Sequence, residues 1–227
     1  SSVFDGFTFI FNVLNMVDNN MIYTSVISPP ITSTFNKTTD NMVIIEIDFK
    51  NSTKLLANKG VVEMIRVHVD FHDELVELIK QFYYPYLYIH EILGDSYVLV
   101  LNVEWAYSFS RYCASMAYSF ISRLYANTKS IIDFRTGISL GKVHYGYIDN
   151  RLRLFGETIN QARRLEQKCI SNHICSSKQF YDKLVSEHIY SPSHIIEDEV
   201  DLKGLGTDTI YYIPINNYDN MFSSNRL

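Results

Sequence analysis

Residues 43–53 read VIIEIDFKNST, and residues 88–100 read YIHEILGDSYVLV. In each, one aspartate, Asp48 or Asp95, stands where a run of β-branched and aromatic residues stops. The first run, Val43 to Ile47, is apolar apart from Glu46, as a central strand covered on both faces requires. The second reads as two strands joined at Gly94-Asp95. Carboxylates at adjacent strand ends are hard oxygen donors, and such a pair suits two magnesium ions holding a nucleoside triphosphate. Each also has a plainer reading: Asp95 as a turn residue after Gly94, and Asp48 as a strand terminator.

Outward from this pair, the helical and extended periods alternate. Val62, Ile65, Val69, Val76 and Ile79 recur at helical spacing between Val61 and Lys80, which predicts a helix with that stripe inward. His72 shares the stripe and reads as a core or interface histidine with a satisfied partner. The Tyr-rich QFYYPYLY, residues 81–88, reads as β-forming core and edge. A second helix is predicted over 104–126 from Trp105, Phe109, Tyr112, Met116, Phe120 and Leu124. A β region, FRTGISLGKVHYGYI, follows, with Gly137, Gly141 and Gly146 as turns, bulges or close backbone approaches. Then come LRLF, a short helix ETINQARRLEQK, the strand-to-helix unit ICSSKQFYDKL, and two strands around HIIEDEVDLKG and DTIYYIPI. The pattern argues a mixed sheet covered by helices.

Composition narrows the functional classes. The chain has 227 residues, 47% of them hydrophobic, enough for one substantial core. A net charge of −5 without a dense Lys/Arg run disfavours tracking of a nucleic-acid backbone. Cys113, Cys169 and Cys175 show no metal-ligand spacing and suit reduced thiols in a cytosol. The stretch FDGFTFIFNVLNMV is too short and too interrupted for a membrane span, so no stable membrane insertion is expected. Phe7, Ile10, Phe11, Leu14 and Val17 within it share one helical face, suited to covering the core or a dimer seam. Residues 24–41, rich in Ser, Thr, Asn and Pro, read as a connector. This gives an N-terminal helix and connector over 1–41, a main domain over 42–215 and a tail over 216–227.

Six segments, in order, carry a resemblance: IEIDFKNSTKL, EILGDSY, RTGISLGKVHYG, LFGETINQARRLE, ICSSKQFYDKL and LKGLG. Together they resemble the class III nucleotide cyclase catalytic domain over about residues 42–215. The resemblance implies an α+β, ferredoxin-like fold with a mainly antiparallel sheet, working as a head-to-tail homodimer with composite active sites. It implies two divalent ions, Mg2+ or Mn2+, on Asp48, Asp95 and the backbone carbonyl of Phe49. Asn160 and Arg164, four apart and so on one helix face, match the family's pair that orients the ribose and stabilises charge at the α-phosphate. Lys203 matches the triphosphate lysine, and Lys142 falls where a phosphate-reaching arginine is expected, on the subunit that supplies the aspartates. Lys142 equally suits an exposed hairpin. Arg163 has no family role and reads as surface.

Two positions of the resemblance bear on the base, and both depart from the best-known members. Adenylate cyclases usually carry Lys and Asp where this chain has Glu91 and Arg153; guanylate cyclases share the Glu but carry a small second residue. The combination is more similar to bacterial pyrimidine cyclases of Pycsar-type anti-phage defence, which make cyclic UMP or cyclic CMP in the cytoplasm for a separate cyclic-nucleotide-sensing effector. Glu91 can accept from the uracil ring N–H or the cytosine amine while Arg153 donates to a carbonyl or ring nitrogen. Guanine satisfies the same hydrogen-bond logic, and only the bulk of Arg153 counts against GTP. His90 is expected on the strand face opposite Glu91. The remaining alternative is a catalytically inactive cyclase-like module that binds nucleotide, which loss of Asp48, Asp95, Asn160 or Arg164 would have favoured.

Overall fold

The computed structural model describes residues 38–84, 86–103, 110–148 and 151–215. The expected N-terminal helix with Phe7, Ile10, Phe11, Leu14 and Val17 lies outside these, as do Trp105 and Phe109. Strands are β1 (Thr38–Phe49), β2 (Leu87–Leu93), β3 (Ser96–Asn102), β4 (Phe134–Ile148), β5 (Arg151–Phe155), β6 (His173–Ser177), β7 (Ile196–Leu202) and β8 (Gly206–Pro214). Helices are α1 (Ser52–Leu78), α2 (Cys113–Thr128), α3 (Glu157–Lys168) and α4 (Lys178–Ser186). They build one sheet in the order β2-β3-β1-β4-β6-β8-β7, with β5 paired to β4. Every pairing is antiparallel except β4 with β6. The fold is therefore the expected α+β arrangement, a mainly antiparallel sheet with helices.

Central β1 shows why the apolar run has no alternation. Val43, Ile45, Ile47 and Phe49 face the main core with α1 and α2, while Met42 and Ile44 join a second cluster with Ala162 of α3. Val43, Ile44, Ile45 and Ile47 have no exposed surface, and burial on this scale contributes about 1.5–3 kcal/mol per large aliphatic side chain. Glu46 and Asp48 continue the α3-facing row. The strand also runs back to Thr38, into the segment read as connector, because residues 38–41 pair with 142–145 of β4.

Two elements differ from expectation. Helix α1 buries Val67, Phe71, Leu75, Val76 and Leu78, whereas Val62, Ile65 and Val69 are 82%, 57% and 51% exposed. Only the C-terminal part of the expected stripe faces inward. Gly60, at φ 84 and ψ 175, breaks the helix ahead of all three, so it is the packing of the Val67, Phe71 and Leu75 face into the main core that leaves Val62, Ile65 and Val69 outside. Likewise, QFYYPYLY is not extended throughout, since Ile79–Tyr83 form a π-helical turn continuing α1 before β2 starts at Leu87.

The long β4 settles two of its three glycines. A Cβ on Gly137 would lie 2.2 Å from the carbonyl oxygen of Ala162, and one on Gly141 would lie 2.7 Å from Thr158 Oγ1. Both are sites of close backbone approach, and they let α3 lie directly on the sheet beside the end of β1.

Candidate active site

The register sets the first half of the site. Asp48 pairs with Ser96 on one side and with Arg135 on the other. Ser96 Oγ donates to Asp48 Oδ1 at 2.8 Å, and Arg135 Nη2 donates to Asp48 Oδ2 at 2.6 Å. Asp95 is drawn in by the tight turn at Gly94, whose φ of +59 suits glycine. Its carbonyl accepts the Phe49 N–H at 3.2 Å, and its carboxylate accepts the hydroxyl of Ser52, the first residue of α1. Asp48, Phe49 and Asp95 thus meet at the end of β1.

Among the described residues no group of three His, Cys, Asp or Glu side chains is arranged to hold a metal. A two-carboxylate set still fits magnesium or manganese. Such ions are held by one or two protein carboxylates, with substrate phosphates and water completing the shell. Asp48 and Asp95 would be those donors, with the Phe49 carbonyl beside them.

Beneath the carboxylates lies a second charged layer. Glu46 and Glu166 are 4% and 5% exposed. Burial pushes Glu46 up to about 7, against the pull of Arg163, and pushes Glu166 up to about 7, against the pull of Arg135. Arg163 Nε lies 3.5 Å from Glu46 Oε1, and Arg135 Nε lies 2.9 Å from Glu166 Oε1. The Arg135 contact is an ion pair and not an aligned hydrogen bond, since neither atom has a hydrogen-bond partner. Arg163 is therefore more than a surface arginine: partly exposed, it fastens α3 to β1.

The second half is built on α3 and the β7–β8 hairpin. Arg164, Lys168 and Lys203 line one cavity of about 240 Å³ with Gln167, Asp201 and Leu202. Arg164 Nη1 donates to Gln167 Oε1 at 3.2 Å. Asn160, one turn earlier, is exposed. Consecutive helical residues diverge by about 100°. Arg163 therefore turns back to its own β1 while Arg164 opens onto the basic cavity.

A β-bulge decides where Glu91 points. Ile89 pairs with Leu99, but Glu91 pairs with Val98, leaving His90 as the inserted residue. Without the bulge, His90 would oppose Val98 and Glu91 would oppose Tyr97, which belongs to the main core. With it, Glu91 shares a row with Val98 and Glu46, on the face that carries Asp48. Simple alternation fails here for a local reason. Arg153, exposed on β5, pairs with Gly146. Burial holds the His90 ring below its ordinary value; Glu91 opposes that and Arg153 adds to it, so both charges stand near this ring.

A family model, the adenylate and guanylate cyclase catalytic domain, matches residues 35–214. The chain belongs to that family. No curated protein matches it, but solved structures do. The guanylyl cyclase Cya2 superposes with a TM-score of 0.66 at 16% identity, covering 78% of this chain and 92% of that one. The adenylyl cyclase CyaB from P. aeruginosa gives 0.61 at 16%, covering 78% and 94%. The guanylyl cyclase domain of the RhoGC fusion protein from the aquatic fungus Blastocladiella emersonii is similar in a dimeric form, with TM-score 0.61 at 20% identity, covering 78% and 98%. At these identities the likeness concerns the fold, and guanylyl and adenylyl cyclases share it. The chain is a nucleotide cyclase catalytic domain, and its base must be argued from its own residues.

Within this cyclase domain, the two basic residues of β4 stand at different points of the register. Lys142 pairs with Asn41, whereas Arg135 pairs with Asp48. Seven residues of strand separate the two basic residues, roughly 23 Å at 3.3 Å per residue. Lys142 therefore lies farther along β4, and it is Arg135 that touches Asp48; sequence reading passed over Arg135. Its position two residues before Gly137 was a usable signal, because the register carries that stretch alongside Asp48. His72 behaves as expected: it is half-buried, with Nδ1 3.3 Å from the Tyr97 hydroxyl. No helix among the described residues is long and apolar enough to cross a membrane.

Proposed function

We propose that the chain is a pyrimidine nucleotide cyclase, converting UTP or CTP into the 3′,5′-cyclic monophosphate and pyrophosphate. The observation that carries this reading is the bulge at His90, which keeps Glu91 on the face that carries Asp48, with Arg153 within electrostatic reach of the same His90 ring. Together they offer one acceptor and one bulky donor. Uracil presents a ring N–H beside carbonyl oxygens, and cytosine an amine beside a ring nitrogen and carbonyl. Guanine offers a matching pattern but needs more room than an extended guanidinium leaves. Lack of a hydrogen-bond partner at a site built for one is heavily penalised, so the pair is a strong discriminator.

The division of the charged groups supports a homodimer with composite sites. Arg163 binds its own β1 while Arg164 opens onto the cavity with Lys203, so each chain offers a carboxylate half and a phosphate-cradling half. In a head-to-tail pair each site takes one half from each subunit. Asn160 orients the ribose so that O3′ faces the α-phosphorus. As the O3′–P bond forms and the bond to the bridging oxygen breaks, Arg164 donates charge-assisted hydrogen bonds to the α-phosphate. Lys203 holds the departing pyrophosphate from one side, and Arg135 stands beside the carboxylates on the other. Two divalent cations on Asp48 and Asp95, when bound, acidify the 3′-hydroxyl and neutralise the leaving charge. The hydroxyl proton leaves to solvent.

The biological role we infer is that of a cytosolic second-messenger synthase in bacterial anti-phage defence, read by a cyclic-nucleotide-sensing effector. That role rests on the resemblance of the Glu91/Arg153 combination alone. The test is product identification by mass spectrometry after incubation with ATP, GTP, CTP or UTP and Mn2+ or Mg2+. Cyclic UMP or cyclic CMP is expected. Cyclic GMP would mean that Arg153 leaves room for a purine and would make the chain a guanylate cyclase. No product from a folded dimer would make it an inactive nucleotide-binding module.

A further inference from the structure

Both oxygens of Asp48 already have protein partners: Oδ1 accepts from Ser96 and Oδ2 from Arg135 at 2.6 Å. A divalent cation and a guanidinium on the same carboxylate oxygen repel one another in a partly buried site, so each weakens the other's hold. Arg135 has a second contact, since its Nε lies 2.9 Å from Glu166 Oε1 on α3, without an aligned hydrogen bond. The Glu166 side chain is 6% exposed and that of Arg135 32%. The guanidinium is thus held at one edge by a buried carboxylate while its other edge covers Asp48.

We propose that Arg135 is a competing counter-ion for the metal site, covering Asp48 against metal alone and turning about its contact with Glu166 when metal arrives with nucleotide. The inference rests on the two-metal reading above and adds a consequence. Metal without nucleotide binds weakly because it must displace a guanidinium that then has nothing to pair with but Glu166. Metal with a triphosphate binds well because the displaced edge meets phosphate. Glu166 acts only through Arg135 and is a positioning residue.

The test is binding of Mn2+ alone to the full chain, followed by the loss of the free Mn2+ resonance signal, for the wild type, R135Q, E166Q and the double variant. R135Q is expected to bind Mn2+ about tenfold more tightly. E166Q, which leaves the guanidinium with Asp48 as its only carboxylate partner, is expected to bind it several-fold more weakly. Simple summation of charges would give those same signs. The double variant separates the two: if Glu166 works through Arg135, it matches R135Q, whereas independent charges would leave it several-fold weaker. R135K keeps the charge but cannot span both carboxylates, and it should also bind more tightly than the wild type. An additive double variant, an R135Q affinity no better than that of the wild type, or undetectable Mn2+ binding by wild type and R135Q alike would each overturn the proposal. The nucleotide assignment is judged separately by product formation, so cyclic pyrimidine product alongside an additive double variant would remove this inference and leave that reading standing.

Discussion

Strands β1 and β2 both deliver carboxylates to one face of the sheet, and they do so by different means. Along β1 the pairing with β3 and β4 is unbroken from Met42 to Asp48, so period-two alternation alone puts Glu46 and Asp48 on the α3 side. Along β2 the alternation is broken, and the bulge that absorbs His90 keeps Glu91 on that face. If these groups act as proposed, metal binding is placed by the most regular part of the fold and base choice by an irregularity on the first strand of the sheet order.

The largest expected effect comes from β1. Asp48→Ala should lower turnover by about a thousandfold or more, since a ligand to the catalytic ions has no substitute. Circular dichroism and the melting temperature should change little, because Asp48 is only partly buried. Mixing Asp48→Ala subunits with Arg164→Ala subunits should restore activity through one intact composite site per heterodimer. Failure to recover, with subunit exchange demonstrated, would place both halves of the site in a single chain. Arg164→Ala alone should cost about a hundredfold to a thousandfold in kcat with little change in KM, the pattern of a contact that strengthens in the transition state. A matching rise in KM would instead assign Arg164 to ground-state binding.

Breaking the β2 device should touch selectivity before chemistry. Glu91→Gln leaves the bulge and the strand register in place but replaces one acceptor oxygen with an amide donor, so the preference among nucleotides should fall by about a hundredfold with the metal site intact. Competition assays with all four triphosphates measure this. An unchanged preference would mean that Glu91 does not read the base.

How far the site was legible follows the same division. Asp48 and Asp95 could be read because strand ends and turns are local signals, and the α3 helix because Asn160 and Arg164 keep helical spacing. Glu91 was named for its place in a motif, but the reason it faces the site could not be read, since a bulge depends on the register of the partner strand. Arg135 was missed because its relation to Asp48 exists only across a ladder joining residues 87 positions apart. On α1 the stripe of Val62, Ile65 and Val69 obeyed helical periodicity yet lies exposed, since packing of Val67, Phe71 and Leu75 into the core, not periodicity, chose the buried face.

The smallest effect sharpens the account of β1. Burial pushes Glu46 up to about 7 from its ordinary 4.5, with Arg163 opposing. Between those values the folded chain keeps a proton that the unfolded chain has lost, so the contribution of Glu46 is complete below 4.5 and is lost as pH rises through 7. The loss is at most about 3 kcal/mol. Glu46→Gln cannot ionise, and Arg163, partly exposed, can be solvated without it. The variant should therefore match the wild type in thermal stability near pH 5 and exceed it near pH 8, with the gap opening between those limits. Glu166 titrates in the same direction, so the variant's own stability should still decline with pH, though less steeply. A gap that is constant across pH would show that Glu46 stays ionised under the sheet. Arg163 would then balance a full charge there, making the pair a tighter fastening between β1 and α3 than its 3.5 Å separation implies.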